Sequence, residues 1–599
     1  MTNKRILCLL LAILMLLPLL AACNKDGKPV DIVKDGESSY TVIYSDSSTA
    51  TAEKGAATKL RDAINEATGV KLRLETDWAP ESSTEIIVGT TNRKASENAL
   101  TLIREKDFII SYAAGQVVVT GGNSAATTRA VDYFIENYIN ADKKKVTVFE
   151  DNDYIGTYDY MLGNLSVSGV ALSEYTIVYP DGADKNDKIT YYIAVNLYDY
   201  IYNNSGVKLK MVSDKTAATE HEILVGKTNR AQSKAVENTE LAADEYLLFQ
   251  NGGKIVMMGN SYMLGGAASA LVNKYFASKG TNVAVDTTLP TAATPQKYTF
   301  EKATSVLLLI GDGMGFEHIQ AGVAAGLNEF VAEKLPYKSS VVTASQSVLD
   351  GNAEFTDSAA AATAMATGHK TVNYYVGKKA DGTNVKNVRE LAHSTGAKTA
   401  ILTTAAISDA TPAAFLAHAG DRHDASIATD IEKLIAKGEV TYAKGDTNSL
   451  TSVKEANLIK NAREALALVS ENNSKFFTMI EEAHVDKNSH KVQSGARSLA
   501  DVQNSVKCYN EVIAYAIGFT MMHPGTALIV TADHECGKLD YNESTGVYRF
   551  DSDDHSNANV PFFGLGDGIA ELIANKAAID NTDIAKFIAK VYGDNNFGA

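Results

Sequence analysis

Four apolar runs in the second half of the chain each lead into acidic or imidazole side chains. Ser305-Val306-Leu307-Leu308-Leu309-Ile310 runs into Gly311-Asp312-Gly313-Met314-Gly315. Lys398 to Thr403 leads to Asp409-Ala410-Thr411-Pro412, and Phe476-Phe477-Thr478-Met479-Ile480 leads to Glu481, with Asp486 and His490 four apart just beyond. Thr526 to Thr531 leads to Asp533-His534. Carboxylates and imidazoles are hard-to-intermediate ligands suited to zinc and magnesium, so their convergence would build a metal site. Thr356-Asp357-Ser358 opens an alanine-rich stretch, Ala359 to Ala366, which favours a helix. Ser358 then falls in the first turn, among unpaired N–H groups at the positive end of the dipole, where a phosphate or sulfate is welcome. A metal touching its hydroxyl would stabilise the alkoxide. Taken singly, an Asp after a strand caps a helix and a Ser after an Asp does the same. It is their joint occurrence that points to chemistry.

These side chains need a scaffold that brings strand ends together. Unbroken apolar runs are the mark of strands buried on both faces, and such strands occur in parallel sheets covered by helices. An open parallel sheet binds its ligand beyond the carboxyl ends of its strands, where these acids fall. Pro412 suits the first turn of a helix. The expected fold class is therefore α/β, a three-layer sandwich with a mostly parallel central sheet over residues 301–599.

The chain of 599 residues is too long for one domain, and its composition, 45% hydrophobic and 21% charged, is globular. A formal net charge of −16 argues against a nucleic-acid-binding face. Residues 1–22 read as a signal peptide: Lys4-Arg5 precede an apolar run too short to span a bilayer, ending Leu20-Ala21-Ala22-Cys23. That ending resembles the lipobox of bacterial lipoproteins, which implies export and a lipid anchor on Cys23 to the bacterial membrane, with residues 23–39 as linker. Of the other cysteines, Cys8 leaves with the signal; Cys508 and Cys536 are left, and whether they pair is open from sequence. Cys536 reads as a small buried thiol.

Residues 40–160 and 161–290 read as two copies of one small α/β module. Tyr40-Thr41-Val42-Ile43-Tyr44 returns as Tyr175-Thr176-Ile177-Val178-Tyr179, and Glu85-Ile86-Ile87-Val88-Gly89-Thr90-Thr91-Asn92-Arg93 returns as Glu222-Ile223-Leu224-Val225-Gly226-Lys227-Thr228-Asn229-Arg230. These segments resemble the small α/β domain that precedes the barrel of hexosaminidases and α-glucuronidases, which implies spacers or modules that contact glycans. Thr287 to Phe300, with Pro290 and Pro295, reads as a linker.

Gly-Asp-Gly-Met-Gly, Thr-Asp-Ser-Ala-Ala-Ala-Ala-Thr-Ala, Asp-Ala-Thr-Pro-Ala-Ala, Glu-x4-Asp-Lys-x2-His and Thr-Ala-Asp-His, in that order from about Ala303 to Gly566, resemble alkaline phosphatases. The resemblance implies hydrolysis of small phosphate monoesters with Ser358 as nucleophile and phosphoserine carrier. It implies two Zn2+ and one Mg2+: Asp312, Asp533, His534 and Ser358 around one zinc, Asp486, His490 and His555 around the other, and Thr411 and Glu481 sharing Asp312 around magnesium. Arg422 is implied as the grip on two phosphate oxygens, and Asp409 and Lys487 match the family versions that keep magnesium in the third site. A homodimer is a further implied partner. His555 departs from the family pattern, lying in Asp-Asp-His-Ser-Asn-Ala-Asn-Val-Pro where His-Thr-Gly is usual. The stretch between Arg422 and Phe476 is short and lacks the family's Gly-rich strand, which leaves the active-site rim and the dimer contact open. A phosphodiesterase of the same superfamily, or a glycan-binding surface lipoprotein, are the alternative readings. A sulfatase is excluded, since Ser358 is not followed by x-Pro-x-Arg.

Overall fold

The computed structural model describes residues 27–45, 51–162, 164–276, 284–445 and 452–599; the segment read as a signal peptide and Cys23 lie outside the described residues. The chain divides into two units. One gathers the described residues before Asn164 with Asn203–Val207; the other holds Asn164–Tyr202, Lys208–Lys279 and Val283–Ala599. No helix among the described residues is long and apolar enough to cross a membrane.

The first unit is built on a six-stranded sheet ordered Arg73–Thr76, Thr41–Tyr44, Glu85–Val88, Gln116–Gly121, Phe108–Ala113, Tyr154–Gly156. Only Phe108–Ala113 runs antiparallel to its neighbours; the other five strands point the same way. Leu60 and Ile64 of helix Thr51–Thr68 and Phe134 of helix Ser124–Tyr138 bury against Val42, Ile86 and Val88. One expectation is corrected here. Pro29–Val33, in the stretch read as linker, is a strand paired antiparallel with Lys145–Phe149. Its polar surroundings hide that Ile32 and Val33 carry enough apolar surface to join the core.

Within the second unit, a sheet of the same strand order runs Lys210–Ser213, Thr176–Tyr179, Glu222–Val225, Lys254–Gly259, Glu245–Asn251, Gln296–Lys297. Gln296–Lys297 comes from the proline-bearing segment expected to be linker; it adds a short edge strand. The Thr-Asn-Arg segments turn out to be internal clamps. Arg230 forks onto Glu222 at 3.0 and 3.1 Å and bonds the carbonyls of Asp214 and Thr216, each at 2.8 Å. Arg93 repeats this on Glu85, Asp77 and Ala79. Burial alone would raise the Glu222 carboxyl, but Arg230, the Thr219 amide and Lys254 together hold it below its ordinary value. Arg230→Ala leaves that buried carboxylate without its fork, and is expected to destabilise the second unit by about 3–5 kcal/mol in chemical denaturation. A change within experimental error would show the pair contributes no net stability.

The same unit contains a mixed eight-stranded sheet. Its strands in chain order are β1 (Ser305–Gly311), β2 (Tyr337–Val342), β3 (Lys398–Thr403), β4 (Tyr442–Gly445), β5 (Phe476–Glu482), β6 (Thr526–Thr531), β7 (Val560–Leu565) and β8 (Ile579–Asp580), and their spatial order is β4-β3-β5-β1-β6-β7-β2-β8. Only β7 runs antiparallel to its neighbours. Every residue of β1, β5 and β6 is buried, including Glu481 and Glu482 at the end of β5. Two helix groups cover the sheet: Ser358–Thr367 packs with Ala410–Leu416 and Asn581–Val591, while Leu499–Met522 packs with Ser452–Val469 and Phe316–Ala324. The fold is α/β, as expected.

Leu499–Met522 also carries the second six-stranded module on its flank. Asn196 of helix Lys188–Ser205 donates to the Tyr515 carbonyl at 3.0 Å, and a Cβ on Gly518 would come within 2.6 Å of Asn196. Arg463 forks onto Asp199 at 2.8 and 2.6 Å, and the Tyr515 hydroxyl joins the same carboxylate at 3.0 Å. A Cβ on Gly265 would sit 2.6 Å from Cβ of Met521. The module is thus seated by interdigitation, at glycines that permit the close approach.

Candidate active site

The central strands β3, β5, β1 and β6 end side by side, and their carboxyl ends carry the acids. Past β1 the chain turns sharply at Gly313, whose φ is +76° and whose Cβ, were there one, would meet Asp486 at 2.8 Å. Only glycine permits both the turn and the approach. Its amide donates to Asp533 Oδ1 at 3.1 Å, so the loop after β1 is tied to the end of β6.

Ser358 is the first residue of helix Ser358–Thr367, and Asp357 is its N-cap, accepting from the Ala360 amide at 3.0 Å. All ten residues of this helix are buried, which explains why it is built from alanines. The Ser358 hydroxyl lies 3.1 Å from His534 Nε2. That nitrogen in turn lies 3.4 Å from Asp312 Oδ1 and 3.3 Å from Asp533 Oδ2.

A second group adjoins it. Asp486, on the short helix His484–Ser489 after β5, has Oδ1 3.3 Å from His490 Nε2 and 3.3 Å from His555 Nε2. The two Nε2 atoms are 3.1 Å apart. His555 Nδ1 is held by the Thr356 carbonyl at 2.7 Å and His490 Nδ1 by the Asp553 carbonyl at 2.5 Å. A carbonyl only accepts, so each Nδ1 is the N–H donor and the Nε2 atoms converge on Asp486. That is how a protein orients imidazoles towards a metal.

The charges tell the same story. Burial first, and then the charges of Asp533, Asp486 and Glu481, push the Asp312 carboxyl well above its ordinary range. Burial pushes Glu481 up to about 8 and Asp533 up to about 6. Burial would raise Asp486 too, but His490 and His555 hold it well below the usual carboxylate range; His555 is driven up to about 9, chiefly by Asp486, against its own burial. Asp312 Oδ1, Asp533 Oδ2 and Thr411 Oγ1 are buried without a hydrogen-bond partner. Negative charge and unpaired acceptors gathered in one place fit cations.

The ligand atoms of Asp312, Asp486 and His534 lie within 4.8 Å of one another, as do those of Asp486, His490, Cys536 and His555. Glu481 is in neither group: it closes on the Thr403 hydroxyl, while its charge acts on Asp312, and Thr411 lies in the first turn of Ala410–Leu416. Cys536, read from sequence only as a buried thiol, is a free thiol whose Sγ lies 3.9 Å from the Asp486 carbonyl, so no disulfide to Cys508 is made.

Arg422 is stretched between two carboxylates, Nη1 to Asp357 at 3.3 Å and Nη2 to Asp409 at 3.2 Å. Asp409 is held from behind by Lys487 at 2.6 Å; this ammonium, more than anything else, overcomes burial to keep the Asp409 carboxyl low. The cap of the Ser358 helix thus also holds the Arg422 guanidinium, a second contact for Asp357 that its sequence position does not disclose. Ser358, Arg422, Asp486, His490 and His555 all line one pocket of about 350 Å³, with Tyr374 and Phe355 among its walls.

A family model described as Alkaline phosphatase matches residues 303–450. Among curated proteins, alkaline phosphatase 3 of Bacillus subtilis (strain 168) is 26% identical over 337 residues, covering 47% of this chain and 71% of that protein. Streptomycin-6-phosphate phosphatase of Streptomyces griseus is 40% identical over 124 residues, covering 20% of this chain and 28% of its own length. Among solved structures, alkaline phosphatase from the Antarctic bacterium TAB5 is 25% identical, with a TM-score of 0.43, over 49% of this chain and 99% of that one.

Proposed function

Because the C-terminal half of the chain belongs to the alkaline phosphatase family, we propose that it hydrolyses phosphate monoesters through a phosphoserine on Ser358. The observation that carries this reading is the 3.1 Å approach of the Ser358 hydroxyl to His534 Nε2, with Asp312 and Asp533 at the same nitrogen.

Asp312, Asp533 and His534 would hold one Zn2+, Asp486, His490 and His555 a second, and Asp312, Thr411 and Glu481 an Mg2+. When bound, such ions supply Lewis acidity that makes an alkoxide of a serine and a hydroxide of water near neutral pH. The protein does the rest. Ser358, fixed at the first turn of a buried helix, presents Oγ to phosphorus with the N-terminal amides behind it. Arg422 offers a planar fork to two non-bridging oxygens, as a lysine would not. Asp357 and Asp409 hold that fork in place, so little side-chain freedom is lost on binding. The Ser358 oxygen bonds to phosphorus as the ester oxygen departs with a proton; water then attacks the phosphoserine, releasing inorganic phosphate and the free hydroxyl. Export and lipidation at Cys23 are proposed alongside, and glycan contact by the two N-terminal modules is the accessory role that fits their resemblance.

Arg422→Ala is expected to lower kcat/KM for a monoester by about 10²–10³-fold, as loss of an electrostatic transition-state contact does, and for a diester several-fold less. A diester has one non-bridging oxygen and one negative charge fewer to grip. Equal losses on phenyl phosphate and bis-phenyl phosphate would favour a diesterase.

A further inference from the structure

Tyr374 stands at the mouth of the pocket, 52% exposed, with a φ of +72°. A bulky residue in the left-handed region is a backbone outlier, and such outliers persist only where the surroundings impose them. The surroundings here are specific. The Asn373 side chain donates to the Phe355 carbonyl at 2.8 Å, its amide donates to Ser347 at 2.9 Å, and the Tyr374 amide donates to Asp357 Oδ1 at 3.1 Å. The turn therefore serves Asp357, which caps the Ser358 helix and holds Arg422.

A glycine would provide that same amide without strain. The backbone does not account for the ring, which meets only the His423 ring, tilted by 40° at a centroid distance of 6.2 Å, among the described residues and, being half exposed, does not fill a core. Phe355 also lines the pocket, but Lys538 lies over its ring at 4.8 Å. Ser358, Arg422 and Tyr374 line the same pocket, so an ester whose phosphorus reaches the first two shares that pocket with the Tyr374 ring.

We propose, on the basis of the phosphatase reading above, that Tyr374 is a specificity-determining residue whose ring stacks on a planar aromatic leaving group. The substrates favoured would be aryl or arylalkyl phosphate monoesters, or esters of heteroaromatic alcohols, over saturated ones of the same size. Face-on or offset contact between rings is the interaction involved, and its strength is modest at an exposed site.

The test compares benzyl phosphate with cyclohexylmethyl phosphate, similar in size and in leaving-group basicity but only one of them planar, on the full-length metal-loaded enzyme. Tyr374→Gly is expected to lower the ratio of the two kcat/KM values by about 3–10-fold, mainly through KM for the benzyl ester, while raising the melting temperature by removing the strain. Tyr374→Phe should keep the wild-type ratio. An unchanged ratio in Tyr374→Gly, or the same fall in Tyr374→Phe, overturns the stacking role. If the wild type hydrolyses neither ester, the phosphatase reading itself falls and this inference with it; if it hydrolyses both at an unchanged ratio, only the inference falls.

Discussion

Ser358→Ala is expected to reduce turnover of phosphate monoesters by on the order of 10⁴–10⁶-fold, the range seen when a covalent nucleophile is deleted from a working constellation. The substitution removes one oxygen and little else. Asp357, not Ser358, caps the helix, and the next four residues are already alanines in fully buried positions. Alanine is also the better helix former, so the fold should survive with an unchanged far-ultraviolet spectrum. The decisive readout is acid-quenched enzyme after exposure to a labelled monoester. Wild type should retain covalent phosphate and the variant none; label retained on the variant would remove Ser358 from its role.

Stripping divalent ions is the second large effect, expected on activity and on stability together. Activity should fall to background with a strong chelator and return with Zn2+ and Mg2+. The stability effect has a sign that depends on pH. Asp312, Asp533 and Glu481 keep their protons in the metal-free fold to higher pH than an unfolded carboxyl, which loses its proton near 4. Their protonated forms therefore favour the fold at low pH, and that contribution is lost as pH rises through about 6 and then about 8. His555, raised to about 9, adds a contribution that is full below about 6.5 and is also lost on the way up. Asp486 acts oppositely: its low value contributes stability above about pH 4, lost only in acid. The metal-free protein should thus melt lower at pH 8.5 than at pH 6. Zn2+ in about hundred-fold excess over its Kd should restore roughly 2.7 kcal/mol. A metal-free protein equally stable at both values, or turnover that survives chelation, would count against the cation cluster.

The acids at the strand ends were legible because a strand buried on both faces must be apolar throughout, so the first charged residue after it marks the sheet edge. Ser358 was legible through its neighbours, an acidic cap before it and alanines after it. What escaped the sequence depends on contacts made in three dimensions. The carbonyls of Thr356 and Asp553 fix the two imidazoles, yet a carbonyl leaves no signature in the residue name. Tyr374 looks like any loop tyrosine until its φ is known. The Thr-Asn-Arg segments suggested spacers or glycan-contacting modules only through a family resemblance, which does not show where an arginine points; Arg93 and Arg230 spend their donors inward. Pro29–Val33 was read as linker because charged and polar neighbours masked two core residues.

The helix Leu499–Met522 faces the catalytic sheet with one flank and the second six-stranded module with another. That module shares its strand order with the first one, while side-chain interlocking makes it a neighbour of the eight-stranded sheet's covering helix. Asn196 and Asp199 both bond Tyr515, so a change of side chain at either acts directly on the helix that also covers the eight-stranded sheet.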